Sequence, residues 1–494
     1  MKKQSFFYGA AVLAAASILC KIMSAALKIP LDRFFLHEDG IGVYQSAYTV
    51  YNVFLAICVT GIPVALSSLV ASSDREGAAS LTKSTLWFVS VLGVLFGGLM
   101  FAFAQPMARL LSGGGSPMAE YSLKILSLSL PFMGIISSRR GYFQGMGIMT
   151  PSAISQLLES LIKVILGIGI CAISIKWGIA QGAAGAICGV TLGALASAGA
   201  LEIFYRKSNS LQGSFSIKMA MQVIKVSIPM TLGAFGFTAV MLTDALTVPN
   251  LLSAIGVSEA ERLKMFGYLT RANTIYNLPA TIITAFTASA VPAIAAARKS
   301  EDRLRENTLR GVKLIFLAAL PSAFGMMLFS GELLLLLYSS SLFGELLVIT
   351  GVMVFVMPYI QATTAILQTL QKVWTPIFIT AGALILKAVL NSVFVKSMGV
   401  IGAPLASVVA FLPAMVLNTL LLSRQVNLSG GGKIFFKMLF CAAISCGGGR
   451  LLYMTHQSTL MLLVSVAFAA VVYFLGIVAL KCVTKEDLSG KEKE

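Results

Sequence analysis

Apolar stretches of about twenty residues recur along the whole chain, and this spacing limits the fold more than any other feature of the sequence. A helix needs roughly 20 apolar residues to cross ~30 Å of hydrocarbon. Strands of a membrane barrel would instead alternate apolar and polar side chains over about 10 residues, and no such alternation is present. Fourteen stretches are predicted, near 5–27, 42–71, 84–105, 119–141, 151–175, 179–204, 219–243, 264–297, 311–330, 343–369, 375–396, 400–423, 434–454 and 458–481. The expected fold is all-α and polytopic, with about fourteen transmembrane helices. Composition excludes the soluble alternative: charged residues are only 12% of the chain and hydrophobic residues 57%. A soluble domain carries roughly 25% charged residues, and a chain this apolar has too little polar surface to face water.

A net charge of +17 would suggest a nucleic-acid partner in a soluble protein. Cytoplasmic loops of membrane proteins also carry excess Lys and Arg, and the basic residues sort in that way. With Lys2 and Lys3 placed inside, 24 of the 37 Lys and Arg fall in inside segments, 8 in outside segments and 5 within spans. Both termini are therefore expected in the cytoplasm, in a multi-pass protein of the cell membrane with no nucleic-acid partner. The first stretch follows Met1-Lys2-Lys3 like a signal peptide. Ser17-Ile18-Leu19-Cys20, however, puts a bulky Leu where such a cleavage site needs a small residue, so a retained first helix is expected. The seven cysteines form no CxxC pair, which argues for packing rather than metal or redox roles.

The chain contains an internal repeat. Ala47-Tyr48-Thr49-Val50-Tyr51-Asn52 matches Ala272-Asn273-Thr274-Ile275-Tyr276-Asn277, and Ala26-Leu27-Lys28-Ile29-Pro30 matches Ala245-Leu246-Thr247-Val248-Pro249. Gly61-Ile62-Pro63 has a counterpart in Ala290-Val291-Pro292. The approach from Gln144 to Thr150-Pro151 has one in Gln368 to Thr375-Pro376. The repeats are six helices apart, an even number, so both halves share one membrane orientation. Parallel repeats of this kind are a transporter architecture with the substrate site between the halves. The expected organisation is an N-lobe of six helices over 1–214, a C-lobe of six over 215–424, and an added helix pair with a tail over 425–494.

Ionisable side chains within apolar spans are costly and usually face the bundle interior or a water-filled cavity. Side chains three and four apart share a helical face, and several intramembrane polar groups are spaced so. Ser17, Lys21, Ser24 and Lys28 form one stripe, and Gln45, Thr49 and Asn52 form another. Ser152, Gln156, Glu159 and Lys163 form a third, in which Glu159 and Lys163 can pair as ions at i, i+4. Arg271, Thr274, Asn277, Thr281 and Thr284 form a fourth, while Asp244 and Lys387, with Asn391 one turn on, stand in other spans. Asp244 is also a candidate ion-pair partner for Arg271 or Lys28, and Lys28 is placed to snorkel. Lys21, Lys28, Arg271 and Lys387 against Asp244 leave a net positive set. Such a cavity favours anions such as phosphate or diphosphate, which an Arg guanidinium grips through two donors. Pro63 and Pro292 lie inside long apolar runs and Pro30 and Pro249 close others, so all four are hinge candidates or fixed kinks.

Lys28-Ile29-Pro30-Leu31, Gly40-Ile41-Gly42-Val43-Tyr44-Gln45-Ser46-Ala47-Tyr48 and Gly61-Ile62-Pro63-Val64-Ala65 together resemble the stage V sporulation protein B family of polysaccharide-biosynthesis proteins. Asp244 with Val248-Pro249-Asn250-Leu251-Leu252, Gly267-Tyr268, Asn277-Leu278-Pro279 and Val291-Pro292-Ala293-Ile294 extend the likeness into the second half. The family is grouped with the lipid II flippase and the multidrug and toxin extruders. The resemblance implies a fourteen-helix, two-lobe fold that exports an undecaprenyl-diphosphate-linked sugar, an anionic lipid-linked saccharide, across the bilayer. It implies substrate roles for basic residues in the first and eighth helices, matched here by Lys28 and Arg271. Lysines at 21 and 28 replace the arginines of the flippase pattern. A groove for the lipid tail beside the last helix pair is implied as well. No cofactor is expected, and a coupling ion or the membrane potential is the candidate energy source. A monomer is expected, with cell-wall synthesis enzymes as candidate associates.

Two other functions are weighed. A cation-coupled multidrug exporter would use intramembrane carboxylates such as Asp244 and Glu159, which the excess of intramembrane Lys and Arg disfavours. A membrane-embedded transferase would want acidic metal ligands or a His base at a membrane face. The two histidines, His37 and His456, fall in predicted outside loops, so no enzyme is expected.

Overall fold

The computed structural model describes residues 6–208 and 213–482. Lys2, Lys3, Lys485, Lys491 and Lys493, which contribute to the predicted topology, lie outside the described residues. The first part of the chain forms α1 (Phe6–Pro30), α2 (His37–Leu55), α3 (Ile62–Ala71), α4 (Arg75–Ala102), α5 (Ala104–Leu111) and α6 (Glu120–Ser127). It continues through α7 (Met133–Gly145), α8 (Thr150–Ser174), α9 (Ile179–Lys207), α10 (Ile217–Ala254), α11 (Glu259–Ala296) and α12 (Glu301–Leu328). The remainder is α13 (Ser330–Tyr338), α14 (Gly344–Thr369), α15 (Trp374–Met398), α16 (Gly402–Ser423), α17 (Gly431–Thr455) and α18 (Thr459–Ala479). Among the described residues there is no strand.

Every predicted apolar stretch coincides with helix. The number of crossings is a separate matter. Ten helical stretches among the described residues are long and apolar enough to cross a membrane, or eleven if the two arms of α10 count as one bent span. Two of the ten, Ala15–Ala71 and Trp374–Ser423, run for 57 and 50 residues, well beyond the ~20 of one crossing. The protein is a multi-pass helical membrane protein.

Local chemistry sets several helix ends. Asp74 caps α4 by accepting from the Gly77 N–H at 2.9 Å, and Ser458 caps α18 by accepting from Met461 at 3.2 Å. Each satisfies a donor that the first helical turn leaves unpaired. Pro30, without an N–H, closes α1, and a π-helical stretch over Leu31–Leu36 leads into α2. A second π-helical stretch, Ala56–Thr60, precedes Gly61 and Pro63 at the start of α3. Pro249 lies inside α10 near its C-terminal end. Pro292 falls within α11, and its side chain lies outside the described residues. A pronounced bend lies elsewhere: the arms Ile217–Gly233 and Thr238–Ala254 of α10 differ in direction by 62°. Pro229 stands just before that break and Gly236 inside it, and Pro and Gly are the usual causes of such bends.

By contacts the chain divides into one unit of Met1–Thr270 with Asn391–Val400 and another of Arg271–Leu390 with Ile401–Glu494. The repeat boundary at 214/215 describes sequence halves, which a division by contacts does not address. In the first unit, glycines let helix backbones meet. A Cβ on Gly189 of α9 would stand 2.5 Å from the Gly167 nitrogen and 2.7 Å from the Lys163 carbonyl oxygen of α8, and one on Gly193 2.6 Å from the Glu159 carbonyl oxygen. Small residues four apart allow this approach where lipid supplies no hydrophobic drive to association. A Cβ on Gly42 of α2 would likewise meet the Leu263 oxygen of α11 at 2.9 Å, and one on Gly61 the Ser227 oxygen of α10 at 2.6 Å. These contacts fix how α2 and α8 present their polar faces.

In the second unit, Ile294, Ala297, Leu304, Ile366, Leu367, Leu422 and Val426 form a buried cluster. Phe316 of α12 stacks on Tyr359 of α14 with ring centroids 5.9 Å apart and meets Phe435 of α17 edge-on at 5.1 Å. Arg450 of α17 pairs with Glu332 of α13 and lies over the Phe329 and Tyr453 rings. The helix pair α17–α18 is close-packed, with a Gly449 Cβ placed 2.8 Å from the Ser465 oxygen.

Candidate functional site

The polar stripes of α1, α2 and α8 meet in the first unit. Ser17 of α1 donates to Gln156 Oε1 of α8 at 3.3 Å. Lys28 Nζ donates to Gln45 Oε1 of α2 at 2.8 Å, and Gln45 Nε2 in turn to Thr49 Oγ1 at 3.0 Å. Lys163 Nζ of α8 donates to the Tyr48 hydroxyl of α2 at 3.1 Å and lies 4.6 Å from the centre of that ring. Lys28 Nζ is 6.0 Å from the same ring centre. Tyr48 stacks on Tyr44 with centroids 5.8 Å apart, and the Tyr44 hydroxyl is buried without a hydrogen-bond partner. Asn52 is half-buried one turn beyond Tyr48 on α2, whereas Lys21 is exposed.

The predicted pairing of Glu159 with Lys163 is not the one the structure makes. Glu159 Oε2 accepts instead from Arg140 Nη2 of α7 at 2.8 Å, while Ser155 and Ser197 take further donors of that guanidinium at 3.1 and 3.0 Å. The i, i+4 rule places two side chains on one face, but a neighbouring helix offers Glu159 a guanidinium with several donors in a fixed fork. Lys163 is thereby left for Tyr48. Arg139 and Arg140, which fall at the end of the predicted stretch 119–141, are both buried in α7. Arg139 donates to Glu202 of α9 at 2.9 Å and stacks 3.6 Å from the Tyr205 ring centre, and Glu202 also accepts from Arg206 at 3.0 Å. The signal for this network is the adjacent pair Arg139-Arg140 with two acidic residues in the following apolar spans. Glu120, Glu159 and Glu202 form ion pairs with Lys124, Arg140, Arg139 and Arg206, and none of these three carboxylates serves Lys28 or Lys163.

The other predicted residues have partners of their own. Asp244 of α10 is 4% exposed and accepts from Asn391 Nδ2 at 3.1 Å. The same amide donates to Thr247 at 2.7 Å, and its Oδ1 is buried without a hydrogen-bond partner. In the second unit Lys387 of α15 is 0% exposed, donating to Ser407 Oγ of α16 at 2.7 Å and to the Ala403 carbonyl at 3.3 Å. Arg271 of α11 is also buried, with its guanidinium 5.2 Å from the Tyr338 ring centre of α13. Asn277 is half-buried, its carbonyl accepting from Thr281, and the Thr284 side chain lies outside the described residues. Sequence reading missed the tyrosines: Tyr48 and Tyr338 each sit under a cation, and Tyr48 had been read only as part of the repeat. All seven cysteines are free thiols.

Lys28 and Lys163 beside Tyr48 can attract an anion. Comparisons with known proteins bear on the family and the fold. A family model described as "Lipid II flippase MurJ" matches residues 41–474. Stage V sporulation protein B of Bacillus subtilis (strain 168) is 28% identical over 99% of this chain and 98% of its own length. The lipid II flippase MurJ of the same organism is 23% identical over 85% of this chain and 83% of its own length. Among solved structures, a lipid II flippase MurJ in an inward closed conformation superposes with a TM-score of 0.73 at 15% identity, covering 95% of this chain and 98% of that one. An inward-facing multidrug resistance MATE family transporter superposes with a TM-score of 0.70 at 18% identity, covering 86% and 99%. Those two likenesses concern the fold.

Proposed function

The chain belongs to the lipid II flippase MurJ family, and from that premise we propose that it carries an undecaprenyl-diphosphate-linked saccharide from the inner to the outer leaflet of the cell membrane. Members of that family are transporters rather than enzymes, and this chain is a transporter. The observation that carries the choice of cargo is Lys28. It donates to Gln45 at 2.8 Å and pairs with no carboxylate among the described residues. An ionisable group kept within the membrane is costly. A cation held there without an acidic partner is relieved of part of that cost when an anion enters. Arg271 on its tyrosine supplies a guanidinium suited to phosphate. The excess of basic residues in inside segments supports cytoplasmic termini and loading from the inner leaflet.

Alternating access is the proposed motion, with Pro30, Pro63, Pro249 and Pro292 as hinge candidates and the bend of α10 near Pro229 as a further one. A lipid II-like peptidoglycan precursor is the cargo that the name of one relative supports, a polysaccharide precursor is the wider form of the proposal, and a spore-specific role is the narrower one. The test is translocation of undecaprenyl-diphosphate-linked saccharide in vesicles with and without the protein. Transport above protein-free vesicles is expected, and equal rates would sink the reading. A cation-coupled drug exporter is the rival, favoured by the buried Asp244 with its Asn391 partner. Drug resistance restored to a matched null strain by the wild type and lost in Asp244→Asn would decide for it.

A further inference from the structure

Lys28 is held from α1 and Lys163 from α8, yet both face one side chain of α2, the Tyr48 ring, at 6.0 and 4.6 Å from its centre. An ammonium has three N–H donors. Each of these lysines spends one on the protein, Lys28 on Gln45 and Lys163 on Tyr48. The two like charges also act on one another. The usual remedy for paired cations is an acid between them, and here the nearby Glu159 is committed to Arg140 at 2.8 Å. Tyr48 offers the negative face of its ring, a modest attraction of about 0.5–2 kcal/mol, and leaves the remaining donors unspent. Tyr44, stacked behind, stiffens the platform. The Gly189 and Gly193 contacts with the Lys163 and Glu159 carbonyls hold this turn of α8 in place.

We propose that Lys163 is a second anion-contacting residue, forming with Lys28 across Tyr48 a two-ammonium site that selects a diphosphate over a monophosphate linkage. The proposal rests on the lipid-linked saccharide reading and gives its site a specificity. A diphosphate has two phosphoryl groups to offer, one to each ammonium. A monophosphate engages one lysine and leaves the other unneutralised. Lys163 acts on binding only, with no bond made or broken.

The experiment uses the full chain in phosphatidylethanolamine and phosphatidylglycerol vesicles. One set holds an undecaprenyl-diphosphate-linked disaccharide, the other an undecaprenyl-monophosphate-linked sugar, and translocation of each is measured. The wild type should prefer the diphosphate lipid. Lys163→Met should lower diphosphate transport about tenfold, the loss of one charge-assisted hydrogen bond, and leave monophosphate transport within about twofold, while Lys163→Arg restores the preference. Lys163→Gln gives the same readout should the methionine variant not reach the membrane. An unchanged preference in a folded Lys163→Met or Lys163→Gln protein overturns the proposal. So does a wild type that moves both lipids equally, although the lipid-linked cargo then survives. A wild type that moves neither lipid removes both readings together.

Discussion

Two helices that the internal repeat places in corresponding positions each carry a lysine midway along, and the two lysines end in opposite circumstances. Lys163 stands twelve residues after Pro151 on α8, and Lys387 eleven after Pro376 on α15. One residue turns a side chain by roughly 100° around a helix of 3.6 residues per turn. On α8 the lysine faces Tyr48 of α2, with a single protein acceptor. On α15 it faces the next helix, where Ser407 and the Ala403 carbonyl receive it and it is 0% exposed. The first keeps donors for the ligand role proposed for it, while the second is built into the packing. A lysine within a membrane span is therefore not by itself a mark of a binding site; its register against the neighbouring helix decides.

The largest effect expected is on the packing that sets this register. Gly189→Leu forces a side chain into the α8 backbone, where even a Cβ would stand 2.5 Å from the Gly167 nitrogen. Little folded protein should be recovered by size-exclusion in detergent, and normal recovery would mean that the α8–α9 approach does not hold Lys163 in place. Next, Arg271→Ala should abolish complementation of a flippase-deficient strain with the protein still present in the membrane. Growth equal to wild type would remove Arg271 from the residues proposed to serve the cargo.

A matched pair of substitutions tests the two lysines directly. Ser407→Ala and Tyr48→Phe each delete one hydroxyl that accepts from a lysine. Ser407→Ala should cost about 0.6–1.7 kcal/mol, the measured scale of hydrogen bonds between membrane helices, seen as a lower thermal midpoint. Tyr48→Phe keeps the ring and should alter transport more than stability. Equal stability losses for both would erase the distinction. The smallest effect sets the baseline. Lys124→Ala breaks an i, i+4 pair with Glu120 whose lysine is 37% exposed, and such pairs contribute about 0.3–0.5 kcal/mol. A larger loss would show that exposure is a poor guide to what a lysine does in this protein.

Much of the site was legible residue by residue. The stripes Ser17–Lys28, Gln45–Asn52 and Ser152–Lys163 follow from helical periodicity, and the structure does bring α1, α2 and α8 together through Gln156, Gln45 and Tyr48. The hidden part was partnership. Glu159 and Lys163 share a face, but Arg140 reaches Glu159 from another helix. Tyr48 belongs to a repeat match and carried no hint that two cations would face it. Arg139 and Arg140 stand at the end of the predicted stretch 119–141, where a basic pair ordinarily marks the cytoplasmic end of a span.

The sequence by itself determined the solvent: a chain with 57% hydrophobic and 12% charged residues, in segments of membrane-crossing length, must satisfy its backbone in helices within lipid. It also determined the candidate hinges and the short roster of intramembrane charges. Only the tertiary structure decided which of those charges are neutralised. Periodicity fixes which side chains share one helix face, whereas the partner across the gap depends on how closely two backbones approach. That is set at glycines such as Gly189 and Gly42, whose Cβ positions are already taken by a neighbour.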